Sequence, residues 1–90
     1  MLIEVFGKEN CARCETTKHK VQHFITKLGL AGRVQFQFHD MDTVDGMTEG
    51  AFRDVLDIPT TIIQRDGEDL IRWTGEIPPT AAIKEYLGTA

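Results

Sequence analysis

The chain's only two cysteines, Cys11 and Cys14, stand where its apolar pattern changes period. Upstream, Leu2-Ile3-Glu4-Val5-Phe6 is a short, apolar, β-branched run ended by Gly7, the pattern of a buried strand. Downstream, Thr17, Val21, Phe24, Ile25 and Leu28 recur at i, i+4, i+7, i+8 and i+11, one face of a helix, and Gly29 is its natural stop. Lys18, Lys20, Gln22 and Lys27 fall elsewhere on that helix. A strand therefore feeds a helix that opens near Ala12. The first cysteine lies just before the helix, facing unpaired backbone N–H groups, and the second lies one turn in.

That placement suits thiol–disulfide exchange. The thiolate is the attacking species, and the positive end of a helix stabilises it. Cys11, partly exposed, attacks a partner's disulfide; Cys14, more covered, resolves the mixed disulfide that results. Two other uses of the motif fit less well. A structural disulfide needs an oxidising compartment, whereas Met1-Leu2-Ile3-Glu4 has no secretory-signal pattern, so the expected location is the cytoplasm. A zinc site needs two further ligands. His19 and His23 form a helical i, i+4 pair, but finger-type sites separate such pairs from the cysteines by roughly a dozen residues. No metal is expected.

Composition narrows the partners. A chain of 90 residues is one domain, 1–90, and buries only about 60–65% of its unfolded surface. The 41% apolar and 27% charged shares are those of a soluble globule. No apolar run approaches the roughly 20 residues of a membrane span. The net charge of −4, without a lysine or arginine cluster, argues against nucleic acid.

Past the helix, Val34, Phe36 and Phe38 alternate with Gln35 and Gln37 in a second strand with one buried face. The crossover helix makes the two strands parallel and adjacent. Asp40-Met41-Asp42-Thr43-Val44-Asp45-Gly46 is acidic and turn-rich, yet its register is wrong for an EF-hand, with Val44 at loop position five and Ala51 at twelve. It reads instead as a strand exit and a helix cap. Thr48, Ala51, Phe52, Val55 and Leu56 predict a short helix ending near Asp57. After Ile58-Pro59, an Asp66-Gly67 turn joins two antiparallel strands, Gly75 ends the second, and Pro78-Pro79 opens a final helix with Ala82, Ile83, Tyr86 and Leu87. His19 and His23 are expected to face solvent, His39 to cap its strand, and Trp73 to pack.

The expected class is α/β, in the order β-α-β-α-β-β-α, with a four-stranded mixed sheet flanked by helices. Over essentially its full length the chain resembles the thioredoxin and glutaredoxin superfamily. Four landmarks in matching order carry the resemblance: Cys11-Ala12-Arg13-Cys14 after the first strand, Ile58-Pro59-Thr60 before the third, the Asp66-Gly67 hairpin, and Gly75 after the fourth. It implies the thioredoxin fold, a reversible Cys11–Cys14 dithiol/disulfide as the redox centre with no other cofactor, protein disulfides as substrates, and a flavoprotein disulfide reductase as electron donor. It also implies that Pro59 is cis against the cysteines, that Ile58 offers backbone groups to the substrate, and that Thr60 and Gly75 complete the groove.

Details divide the family's branches. Lys8, three residues before Cys11, resembles the glutaredoxin lysine that holds the glutathione carboxylate and stabilises the thiolate. Asp57 and Glu76, however, stand where that branch has threonine and a second glycine, and two carboxylates repel anionic glutathione. The thioredoxin pattern is incomplete too: Asn10 replaces tryptophan, Ala12-Arg13 replaces Gly-Pro, and Val5 replaces the buried aspartate, leaving water or Glu4 to take the Cys14 proton. Arg13, a fixed cation beside the thiolate, makes the pair more oxidising. The chain most resembles compact, glutaredoxin-sized thioredoxins. The alternatives are a glutathione-dependent glutaredoxin and a non-catalytic binding module whose cysteines hold a metal between two chains.

Overall fold

The structure, a computed structural model, describes residues 1–90. Its elements are β1 (Leu2–Gly7), α1 (Ala12–Lys27), β2 (Gln35–Asp40), α2 (Val44–Phe52), β3 (Thr60–Arg65), β4 (Glu68–Thr74) and α3 (Thr80–Leu87), the order the periodicity implied. The sheet runs β2-β1-β3-β4. β2 is parallel to β1, while β3 is antiparallel to both β1 and β4. No helix is long and apolar enough to cross a membrane.

Alternation along β1 and β3 divides the core between the two faces of the sheet. Ile3, Val5 and Ile63 pack with Val21 and Ile25 of α1 and with Ile83 and Leu87 of α3. Phe6 and Ile62 point the other way, to Val55. Trp73 is core, buried edge-on to Tyr86 at 6.0 Å. At the Asp66-Gly67 turn both residues have positive φ, 53° and 82°, as a two-residue hairpin requires.

Three local readings change. α1 closes in a Schellman motif, with Leu30 N–H donating to the Ile25 carbonyl at 2.9 Å and Gly29 at φ 68°. This swings Leu28 outward to 43% exposure and puts Leu30 in the core instead. Phe36 and Phe38 are only half-buried because β2 is an edge strand, and the Lys18 ammonium covers the Phe38 ring at 4.6 Å. The second helix begins four residues earlier than the apolar pattern placed it. Thr43 is its N-cap, its Oγ1 accepting from Gly46 N–H at 2.9 Å, and Asp54 at φ 56° follows its end. Its buried positions are Gly46 and Gly50, which lie against the Asp40 carbonyl and the Met41 side chain, while Phe52 and Leu56 face water.

Candidate active site

β1 ends at Gly7 and α1 begins at Ala12, so a short crossing delivers both cysteines to one end of the sheet. Cys11 is the N-cap of α1, in extended conformation, and its Sγ accepts the Cys14 N–H at 3.2 Å. The two form a disulfide with Cα atoms 5.2 Å apart. Cys11 is half-buried and Cys14 fully buried. Gly7 makes that burial possible: a Cβ there would lie 2.7 Å from Cys14 Cβ and 2.8 Å from its Sγ. Read as a mere strand end, Gly7 gave one signal of this role, its place at the last strand position before the motif.

The facing wall comes from the far end of the chain. Phe6 of β1 pairs with Thr60 of β3, which sets the preceding residues beside the cysteine crossing. The Ile58–Pro59 bond is cis. Gly75, at φ 71°, donates its N–H to the Pro59 carbonyl at 2.8 Å, and buried Thr60 donates its hydroxyl to the Asp57 carbonyl at 2.6 Å. Arg13 ties the walls together, its guanidinium donating to the Gly75 carbonyl at 2.9 Å. The structure thus brings Cys11, Cys14, Arg13, Pro59 and Gly75 together. Lys8 turns to Asp42, with its ammonium 3.4 Å from that carboxylate. The Ile58 N–H is donated to Asp57 Oδ1 at 3.0 Å. Beside Ile58 opens a groove that the sequence reading missed, lined by Met41, Met47, Val55 and Leu56; the two methionines, one within the acidic stretch and one just after it, were its one visible trace.

Glu4 does not serve Cys14. β1 alternation sends Gly7 toward Cys14 and Glu4 to the opposite face. There it is buried, accepting from His39 Nε2 at 2.9 Å and lying 3.3 Å from the Arg53 guanidinium. His39 lies within β2, stacked on Phe6 at 4.5 Å, and does not cap its strand. Arg53 also donates to Asp69 at 2.7 Å; that bond and the nearby Glu4 charge raise its pKa above the ordinary arginine value. Arg72 donates to the carbonyls of Arg53 and Asp54. The network fastens the segment leading from α2 to Pro59 onto the sheet. Glu4→Gln is expected to lower stability by about 1–3 kcal/mol, because Arg53 loses one of two anions at a site only 19% exposed. The urea midpoint measures it.

His19 and His23 are exposed on α1, as expected. A family model described as a thioredoxin domain matches residues 1–88. Among solved structures, thioredoxin 1 of the thermophilic eubacterium Thermosipho africanus is similar at 21% identity and a TM-score of 0.77, over 99% of this chain and 97% of that one. Thioredoxin-2, a component of the malaria parasite protein secretion machinery, is similar at 15% identity and a TM-score of 0.81, over 99% and 82%. Chloroplastic thioredoxin z is similar at 22% identity and a TM-score of 0.76, over 98% and 75%. No curated protein sequence matched the chain. At such identities the solved neighbours speak for the fold, and the family match runs from Met1 to Gly88. By that match the chain belongs to the thioredoxin domain family, and with its Cys11–Cys14 pair it is a thiol–disulfide oxidoreductase.

Proposed function

We propose that the protein reduces disulfides of other proteins in the cytoplasm, with Cys11 as nucleophile and Cys14 as resolving thiol. The unequal burial of the two sulfurs carries this reading: Cys11 is reachable and Cys14 is not. The Cys11 thiolate attacks one substrate sulfur, the substrate S–S bond breaks, and the leaving thiolate takes a proton. The Cys14 thiolate then attacks the Cys11 sulfur, releasing the second substrate thiol and closing the Cys11–Cys14 disulfide. Two electrons pass to the substrate, and a flavoprotein disulfide reductase returns them. Ile58 and Gly75 border the groove that holds the substrate chain, and buried Pro59 and Thr60 hold those borders in place. No metal or organic cofactor takes part. Glutathione is a poor fit, since Lys8 is engaged by Asp42 and Asp57 stands at the groove.

The test is the midpoint potential of the cysteine pair in defined dithiol buffers. A reversible couple between about −180 and −270 mV is expected, and a value below about −300 mV would identify a structural staple instead. Arg13→Ala removes a fixed cation near the pair and is expected to make the potential about 10–20 mV more negative. An unchanged potential would remove Arg13 from the tuning of Cys11.

A further inference from the structure

The groove beside Pro59 is apolar along its floor, with a volume of about 340 Å³ between Met41, Met47, Val55, Leu56 and Ile58. Leu56 is 94% exposed and Met47 50%, an apolar surface that gains free energy when covered. Two charged side chains line it, Lys8 and Asp57, and Arg13 is the cation next along the site. The Lys8 ammonium is paired with Asp42, and the Arg13 guanidinium is committed to the Gly75 carbonyl. Asp57 takes part in none of the molecule's ion pairs.

The Asp57 carboxylate also lies against the backbone. Its Oδ1 accepts the Ile58 N–H at 3.0 Å, and its Oδ2 lies 2.8 Å from where a Cβ on Gly75 would stand. Gly75 bonds to Pro59, so an unpaired negative charge lies between the two backbone segments flanking the proline, at the edge of an apolar floor. Such a charge recognises a cation carried close to an apolar side chain. The chain's overall charge of −4 favours approach of the same kind of partner.

We propose that this groove receives an extended segment of the protein substrate and that Asp57 selects segments carrying lysine or arginine within two residues of the attacked cysteine. An apolar substrate side chain covers Met47 and Leu56 while the cation meets the free Asp57 oxygen. This deepens the exchange function proposed above and rests on it.

The test uses two heptapeptides with leucine on both sides of a central cysteine and either lysine or glutamate outside them. Each is offered to the reduced protein as its mixed disulfide with thionitrobenzoate, and each rate is divided by the rate with dithiothreitol to remove intrinsic reactivity. The lysine peptide is expected to react about fivefold faster than its glutamate twin. In Asp57→Asn, which keeps an acceptor for Ile58 N–H, the ratio should fall to about two or less; in Asp57→Lys it should invert. Raising salt to about 0.5 M should also shrink the ratio in the unmodified protein. Twins with serine for cysteine, titrated by NMR into the disulfide form, report docking without exchange. Equal rates, or a preference that survives Asp57→Asn, would overturn the assignment. Serine twins that bind with the lysine preference while neither disulfide is attacked would support the docking and sink the exchange reading instead.

Discussion

Cys11→Ser brings disulfide reduction down by at least about a thousandfold, to the uncatalysed rate, whereas Cys14→Ser stops the reaction one step later. The half-buried sulfur at the head of α1 is the one an incoming disulfide can meet, and a serine hydroxyl there is no substitute for a thiolate. With Cys14→Ser, Cys11 still attacks, but nothing behind it displaces the bound substrate. Intact-protein mass spectrometry after mixing with a disulfide substrate is expected to show a stable one-to-one adduct for Cys14→Ser and none for Cys11→Ser. An adduct held by Cys14 alone would reverse the two roles. It would also require Cys14, fully buried beneath Gly7, to become exposed on reduction.

Gly46→Ala has the largest expected effect on stability. Propensity alone predicts the opposite sign, since alanine in a helix interior is favoured over glycine by about 1 kcal/mol. Here the added methyl would overlap the Asp40 carbonyl, a backbone group at the end of β2 with little freedom to yield. We expect a loss of about 3 kcal/mol or more, a large part of the stability of a small domain. Gly32→Ala is the control: no atom lies within 4 Å of its would-be Cβ, so the urea midpoint should barely move. If both variants behave alike, the close approach of α2 to β2 is not what holds that helix.

Gly46 also shows where sequence reasoning stopped. Features dictated by local backbone chemistry were legible: the strand-to-helix switch around Cys11, the Asp66-Gly67 turn, and the helix stop at Gly29. The start of α2 was not. The pattern rule assigns large apolar residues to the buried face, but α2 docks through Gly46 and Gly50 and leaves Phe52 82% exposed. A glycine pair at i, i+4 was the signal available. The ion network was hidden for another reason. Glu4 and His39 lie 35 positions apart and meet only through the parallel register that sets Glu4 opposite Gln37. Likewise, the contact between Asp57 and Gly75 depends on the antiparallel pairing that sets Thr60 opposite Thr74. The cis Ile58–Pro59 bond was readable only through family resemblance, since most X–Pro bonds are trans.

The strand order leaves two open borders, β2 and β4, and they are defended differently. β4 carries Glu68, Asp69 and Arg72, charges that discourage a second chain from adding to it. Gln35-Phe36-Gln37-Phe38 has no such charge, and α2 is the helix packed over that strand. A lesion that loosens α2 therefore does more than cost stability: it strips one face from a strand whose open border is uncharged over Gln35–Phe38, the kind of segment on which chains assemble into fibrils. The two close-packed glycines of α2 thus guard the protein's solubility as well as its shape.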